Sequence, residues 1–180
     1  MTDEIRIEWE MIESSKQNLQ CFEPLYRKYY PQILKFIYKR VADIEDAYEI
    51  ATDTFAKAMT KIKKYEHRGF PFSSWLYRIA INEIAQFYRD KSKMRCISID
   101  ETTVRNLAAE TEKDLQELKS ILKKALEYID EKDLLLLELR FFEERPFAEV
   151  AEILGITENN AKVKTYRAVD KLRLIFNKLS

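Results

Sequence analysis

Apolar side chains recur at helical spacing through most of this 180-residue chain. Spacings of three and four residues place them on one face of a helix, and that face packs inward. The chain also has only two glycines and 34% charged residues, a composition that suits long helices with solvated outer faces better than sheets. We therefore predict an all-α fold, and the 46% of hydrophobic residues is sufficient for well-filled cores.

The same pattern divides the chain into four parts. Residues 1–20 are an acidic N-terminal arm to which the sequence assigns no role. Residues 21–95 form a first helical domain, and residues 115–180 form a second, smaller one. Between them, residues 96–114 are acidic and polar and have no continuous apolar face, so we expect a flexible linker.

Charge is distributed unevenly along a chain whose formal net charge is zero. Residues 65–95 carry a net charge of +3 and residues 157–180 carry +4, whereas residues 96–118 and 119–156 carry −4 and −3. Two basic blocks flanking an acidic middle suggest two separate contacts with nucleic acid.

The first basic block combines aromatic residues with a polar helix face. Aromatic residues crowd around Gly69 and Pro71, after which we predict a helix beginning near Ser73 or Ser74, either of which could cap it. Its apolar face is formed by Leu76, Ala80, Ile84 and Phe87, and a different face by Trp75, Arg78, Asn82, Gln86 and Arg89. Guanidinium groups neutralise phosphates, amides bond to base edges, and an aromatic loop can stack an unpaired base, worth roughly 1–3 kcal/mol. The alternative is that the aromatics belong to a core and the polar face is only solvated.

The second basic block has the layout of a helix-turn-helix. Pro146 is suited to open a helix, Gly155 to end it and Thr157 to cap the next one. The outer face of that next helix is expected to carry Asn159, Asn160, Lys162, Val163, Lys164, Tyr166 and Arg167. An ordinary helical hairpin shares this pattern, but the turn, the cap and the charge together favour a helix whose first turns enter a major groove.

Chemistry other than binding has little support in the sequence. Cys21 and Cys96 lack metal-ligand spacing, and the single histidine, His67, has no nucleophile in motif spacing. The carboxylates at positions 43, 45, 46 and 49 begin a predicted helix, where they complement its dipole. We therefore predict no catalytic residue, no metal and no cofactor. No run approaches the ~18 apolar residues that span a membrane, so we expect a cytoplasmic protein.

Three segments then resemble one family, in the family's order, over residues 21–179. The chain resembles a small bacterial RNA polymerase sigma factor of the extracytoplasmic-function class. DIEDAYEIATDTFAKAMTKI is similar to the family's core-docking helix, WLYRIAINEIAQFYRDK to its promoter-melting helix, and AEVAEILGITENNAKVKTYRAVDKLR to its −35 recognition domain. The resemblance implies promoter recognition, opening of the −10 strand and initiation of transcription.

The resemblance, together with the outer faces described above, implies three sets of contact residues. Contacts with the −10 strand fall on His67, Arg68, Phe70, Phe72, Trp75, Arg78, Asn82, Gln86 and Arg89. Contacts with the −35 duplex fall on Asn159, Asn160, Lys162, Val163, Lys164, Tyr166 and Arg167. Polymerase docking falls on Asp46, Glu49, Thr52, Asp53 and Phe55. Three departures stand out: Thr52 replaces the usual glutamine, Glu49 the usual aspartate, and Glu144-Arg145-Pro146 the usual glycine before the helix-turn-helix.

The implied partners are core RNA polymerase, promoter DNA and an anti-sigma factor, with a monomer expected for the free protein. Three alternatives stay open. A helix-turn-helix regulator acting without polymerase would be a dimer on a palindromic site. A metal-dependent nuclease would use Asp43, Glu45 and Asp46. A helical adaptor with no role in nucleic-acid binding would leave both basic faces unexplained.

Overall fold

The computed structural model describes residues 3–41, 43–91 and 115–180, and every regular element among them is helical. The prediction of an all-α fold is confirmed. These residues belong to two compact units. The first lies before residue 96, and the second begins at residue 96. The predicted acidic linker, residues 96–114, lies outside the described residues.

Among its described residues, the first unit contains four α-helices and two short 3₁₀ turns. They are α1 (Asp3–Gln17), a turn at Leu19–Phe22, α2 (Glu23–Val41), α3 (Ile44–Lys61), a turn at Ile62–Lys64 and α4 (Phe72–Lys91). Helices α2, α3 and α4 pack on one another. Helix α2 continues through Pro31 as one helix, and Pro31 itself lies on the exposed side.

The core of the first unit comes from the apolar faces that the sequence pattern predicts. The buried side chains of α2 to α4 include Leu25, Ile33, Phe36, Ile37, Ala47, Ile50, Ala51, Ala58, Leu76, Ala80, Ile84 and Phe87. Helix α3 begins where expected, because the carboxylate of Asp43 accepts the backbone N–H groups of Glu45 and Asp46, both at 3.0 Å. The cap therefore engages one carboxylate oxygen of Asp43, which is one of the residues that the alternative of a metal-dependent nuclease would use as a ligand.

Helix α1 is a finding that the sequence pattern did not assign. Residues 3–17 form a helix that packs onto the rest of the first unit, so most of the predicted arm belongs to this unit. Ile12 is only 2% exposed. The carboxylate of Glu8 accepts a hydrogen bond from Lys28 Nζ at 2.6 Å and another from the Tyr29 hydroxyl. The buried Ile12 therefore anchors this helix in the unit, and the contacts of Glu8 join it to α2.

Helix α4 begins one or two residues earlier than predicted. Phe72 is its first residue, and Ser73 and Ser74 are both buried within the first turn, so neither is the N-cap. The backbone N–H of Ser74 donates to the carbonyl of Pro71 at 2.9 Å. Just upstream, Gly69 has φ = 80°, a conformation that glycine adopts without strain. The chain turns at Gly69, and Pro71 then supplies the first helical acceptor.

The second unit contains α5 (Leu115–Glu127), α6 (Glu131–Leu137), a π-helical turn at Glu138–Phe142, α7 (Phe147–Leu154) and α8 (Glu158–Leu179). Asp130 caps α6, because its side chain accepts the backbone N–H of Asp133 at 3.0 Å. One core joins α5, α6 and α8, and its buried members are Leu118, Leu122, Ala125, Leu126, Ile129, Leu134, Leu137, Ala168 and Leu172.

The connection between α7 and α8 has the turn chemistry that the sequence indicates. Gly155 ends α7 in the left-handed region at φ = 66°, and the backbone N–H of Ile156 donates to the carbonyl of Ala151 at 3.0 Å. Thr157 then caps α8 by accepting the backbone N–H of Asn160 at 3.3 Å. The predicted helix-turn-helix is confirmed.

Candidate nucleic-acid interface

The outer face of α8 is open to solvent along its first three turns. All the residues predicted to contact the −35 duplex are exposed, and Ala161 and Thr165 between them are buried. The ring of Tyr166 lies 5.9 Å from that of Phe147 on α7, which ties the two helices of the motif together. Lys162 pairs with Glu158 at 2.8 Å, so that its ammonium group is held beside the first turn. The face therefore offers amides, cations and the aliphatic side chain of Val163 to a groove.

A groove of about 580 Å³ runs beside this face, between α6 and α8. Its cationic lining is formed by Lys132, Lys164, Arg167 and Lys171. Lys171 donates to the carboxylates of Asp130, at 3.0 Å, and Asp133. The backbone N–H of Asp133 and the Lys171 ammonium together lower the pKa of Asp130 to about 2. Arg167 thus lies at the border between the exposed face and a groove whose lining combines cations with two carboxylates and apolar side chains.

The outer face of α4 is only partly open. Asn82, Gln86 and Arg89 are exposed, whereas Trp75 and Arg78 are half-buried. The Trp75 ring packs against Tyr65, with the centroids 4.9 Å apart, and against Phe72 at 5.3 Å. The open part of the face begins at Asn82, nearly three turns into the helix.

Phe72 does not belong to this surface. It is 1% exposed, and its ring meets those of Phe22, Tyr29, Tyr65 and Trp75 at centroid distances of 5.1–6.3 Å. The rings of four other residues enclose Phe72 in this structure, so its contact with the −10 strand stays a prediction for which little of the ring is accessible. The loop before α4 still presents His67 and Arg68 as exposed residues and Phe70 as a half-buried one.

Gln86 and Arg89 are engaged with their own helix. Gln86 Nε2 donates to both carboxylate oxygens of Asp90, at 2.7 and 2.9 Å, and Arg89 donates to Gln86 Oε1 at 2.7 Å. Gln86 also borders a small acidic groove between α3 and α4, of about 170 Å³, which Glu49, Asp53 and Glu83 line with it. A base-reading role for Gln86 would require that it leave Asp90, so Asn82 is the amide better placed to reach a base.

The predicted docking residues on α3 separate into two groups. Glu49, Thr52 and Asp53 are exposed, as an interface requires. Phe55 is 2% exposed and packs against the rings of Phe22, Tyr26 and Tyr30 at 5.0–6.5 Å. Asp46 is 8% exposed. Phe55 is therefore a core residue in this structure, and both Phe55 and Asp46 offer little surface to a partner, so their roles in docking stay predictions.

Trp9 on α1 is a residue near this interface that the sequence pattern missed. Its ring lies 5.3 Å from the ring of His67, in the loop before α4. Lys16 Nζ lies 5.4 Å from the centroid of the same indole. The signal was present, because Ile5, Trp9 and Ile12 recur at helical spacing within the acidic arm.

Two helical units, one of them with a helix-turn-helix whose outer face carries exposed cations, define a DNA-binding protein. The comparisons with known proteins agree. Residues 25–94 match the model of Sigma-70 region 2, and residues 125–174 match that of Sigma-70, region 4. The chain is 31% identical over 150 residues to the RNA polymerase sigma factor YlaC of Bacillus subtilis, which covers 81% of this chain and 86% of the relative. The chain belongs to the RNA polymerase sigma factors of the extracytoplasmic-function class.

Solved structures support the fold. CnrH, in complex with the cytosolic domain of CnrY, superposes with a TM-score of 0.62 at 20% identity, covering 94% of this chain and 97% of that one. The sigma factor RpoE of Bartonella quintana, in complex with the anti-sigma factor NepR, gives 0.61 at 21% identity, covering 87% and 96%. Within residues 3–41, 43–91 and 115–180, none of the helices has the length and apolarity needed to cross a bilayer.

Proposed function

We propose that this sigma factor reads its promoter with two surfaces of unequal character. The first turns of α8 enter the major groove of the −35 duplex. The loop 66–71 and the open part of α4 take the −10 strand as it separates. The observation that carries the proposal is the outer face of α8, where every predicted contact residue is exposed between buried neighbours on a capped helix.

Recognition at −35 uses different chemistry at different positions. Arg167 and the amides of Asn159 and Asn160 can donate hydrogen bonds to base edges, and the methyl groups of Val163 can contact a thymine methyl. Lys162 and Lys164 neutralise phosphates and fix the register of the helix in the groove.

Capture of the −10 strand depends on fewer residues than the sequence suggests. His67 and Phe70 provide aromatic surface, Arg68 and Arg89 provide charge, and Asn82 provides an amide. Unstacking a base step costs a few kcal/mol. Stacking on an aromatic side chain returns roughly 1–3 kcal/mol per base, so this surface stabilises one or two extruded bases.

Glu49, Thr52 and Asp53 form the exposed face through which α3 docks on core polymerase. Polymerase performs the chemistry, and this chain supplies no catalytic group. CnrH and RpoE were each solved with a protein partner, NepR being an anti-sigma factor, and we extend that mode of control to this chain. We place its action in the cytoplasm, with polymerase and DNA.

The test uses holoenzyme assembled from core polymerase and the full chain. Run-off transcription on genomic DNA first identifies a promoter. Arg167→Ala should then weaken binding at the −35 element by roughly 1–3 kcal/mol, the usual value for a base contact. Arg173→Ala is the matched control, because Arg173 lies on the same helix, is exposed and stands beyond the first turns. Equal transcription by both variants would remove Arg167 from the interface.

A regulator acting without polymerase is the rival function. It predicts a dimer and tight binding of the free protein to a palindromic site. Gel shifts with and without core polymerase, together with the size of the free protein in solution, distinguish the two.

A further inference from the structure

The contact between Trp9 and His67 joins α1 to the loop before α4. The two rings lie 5.3 Å apart at an interplanar angle of 51°, within the range of aromatic pairs. His67 is exposed, whereas Trp9 is half-buried. His67, a loop residue predicted to contact DNA, is therefore packed on one side by α1, which lies far from it in the sequence.

Helix α1 is firmly attached at the positions around Trp9. Ile12, one turn further along, is buried in the core. Glu8, next to Trp9, is held by Lys28 at 2.6 Å and by Tyr29. The ammonium group of Lys16 lies over the indole at 5.4 Å. Trp9 consequently projects from a fixed support rather than from a free arm.

Backbone hydrogen bonds hold the two ends of the loop. Within the described residues, backbone hydrogen bonds of its turns lie at its two ends, where Tyr65 N–H donates to Ile62 O at 3.0 Å and Ser74 N–H donates to Pro71 O at 2.9 Å. Gly69, in the middle, adds backbone freedom. The aromatic contact at His67 supports the segment between these ends.

We propose that Trp9 is a positioning residue for promoter opening. It holds His67 and the adjoining loop in the conformation that receives an unstacked −10 base. This role rests on the proposed function, because it assumes that the loop meets the separated strand. Trp9 acts through His67, and its own ring need not touch DNA.

The first measurement concerns the loop without DNA. In the free full-length protein, Trp9→Ala should raise the rate of tryptic cleavage after Arg68 by about threefold to tenfold, the factor that corresponds to losing one aromatic pair. Trp9→Phe should restore most of the protection. Ile7→Ala is the matched control on α1, because Ile7 is exposed. Unchanged cleavage after Arg68, or an equal increase in cleavage throughout α2 and α3, would overturn the proposal, since Trp9 would then have either no role or a general structural one.

The second measurement concerns opening by the holoenzyme, followed by the fluorescence of 2-aminopurine in the −10 region. Trp9→Ala should slow opening by about threefold to tenfold. Because Trp9→Ala and His67→Ala remove the same interaction, the double variant should open no more slowly than the slower of the two single variants. Additive losses would refute action through His67. If His67→Ala and Phe70→Ala both leave opening unchanged, the proposed function of the loop fails. If they slow opening and Trp9→Ala does not, only the role of Trp9 fails.

Discussion

Phe70 and Phe72 are two residues apart, yet the structure predicts opposite consequences for their loss. Phe72 is enclosed by the rings of Phe22, Tyr29, Tyr65 and Trp75, whereas Phe70 is half-buried in the loop. Phe72→Ala should therefore unfold or severely destabilise the first unit. Phe70→Ala should leave it folded and impair promoter opening.

The magnitude follows from the burial of the ring. Removing a fully buried phenylalanine costs about 3–5 kcal/mol, because a cavity remains and ring contacts are lost. With a typical urea dependence of about 1.5 kcal/mol per molar, the midpoint of unfolding should fall by roughly 2–3 M. This loss approaches the whole stability of many domains, so part of the variant is expected to be unfolded in buffer.

Tryptophan fluorescence in urea is a suitable assay, since the only two tryptophans, Trp9 and Trp75, both lie in the first unit. The signal reports that unit and is blind to unfolding of the second. Phe72→Leu is the conservative control and should lose much less. A midpoint unchanged by Phe72→Ala, or lowered as much by Phe70→Ala, would refute the assignment of Phe72 to the core.

Other predictions concern the second unit and its turns. Asp130 has a folded-state pKa of about 2, below its usual value of 3.8, so its contribution to stability is present above pH 4 and is lost as the pH falls toward 2. Asp130→Asn should lower the melting temperature of this unit at pH 5, and the difference from wild type should vanish near pH 2; a constant difference would contradict the linkage. Glu144 has φ = 53°, which favours glycine, so Glu144→Gly should raise stability by up to about 1 kcal/mol in thermal melts. Glu144→Ala, which keeps the Cβ, should not; equal gains would refute the backbone explanation.

The helix-turn-helix could be predicted because its determinants are local. Gly155 and Thr157 lie within three residues of each other, and each acts on backbone groups a few positions away. Ala161, Thr165, Ala168 and Leu172 follow one helical period, and all are buried. Local turn chemistry and a regular period need no knowledge of the remaining fold.

Burial and helix boundaries that the sequence pattern did not indicate depend on contacts from distant parts of the chain. Phe55 was placed on a docking face, but Phe22 and Tyr26, both around 30 positions earlier, cover it. Ser73 and Ser74 have the right chemistry for a cap, yet the helix starts before them because Gly69 and Pro71 set the turn. Periodicity shows which residues share the apolar face of a helix, but it does not show which other element of the fold covers that face.

Burial of Phe72 also bears on why promoter opening requires polymerase. With Phe72 in the core and Trp75 half-buried, His67 and Phe70 are the principal aromatic groups that the loop offers to a base. Stacking on them returns roughly 1–3 kcal/mol per base, close to the few kcal/mol that each unstacked step costs. For the first unit alone, the free energy gained by stacking therefore roughly equals the free energy lost when the duplex unstacks. In the proposed mechanism, net favourable opening requires the second contact at −35 and docking of α3 on polymerase, because both raise the effective concentration of the loop at the −10 strand. We accordingly expect the free protein to bind promoter duplex weakly in gel shifts, and tight specific binding without core polymerase would contradict this account.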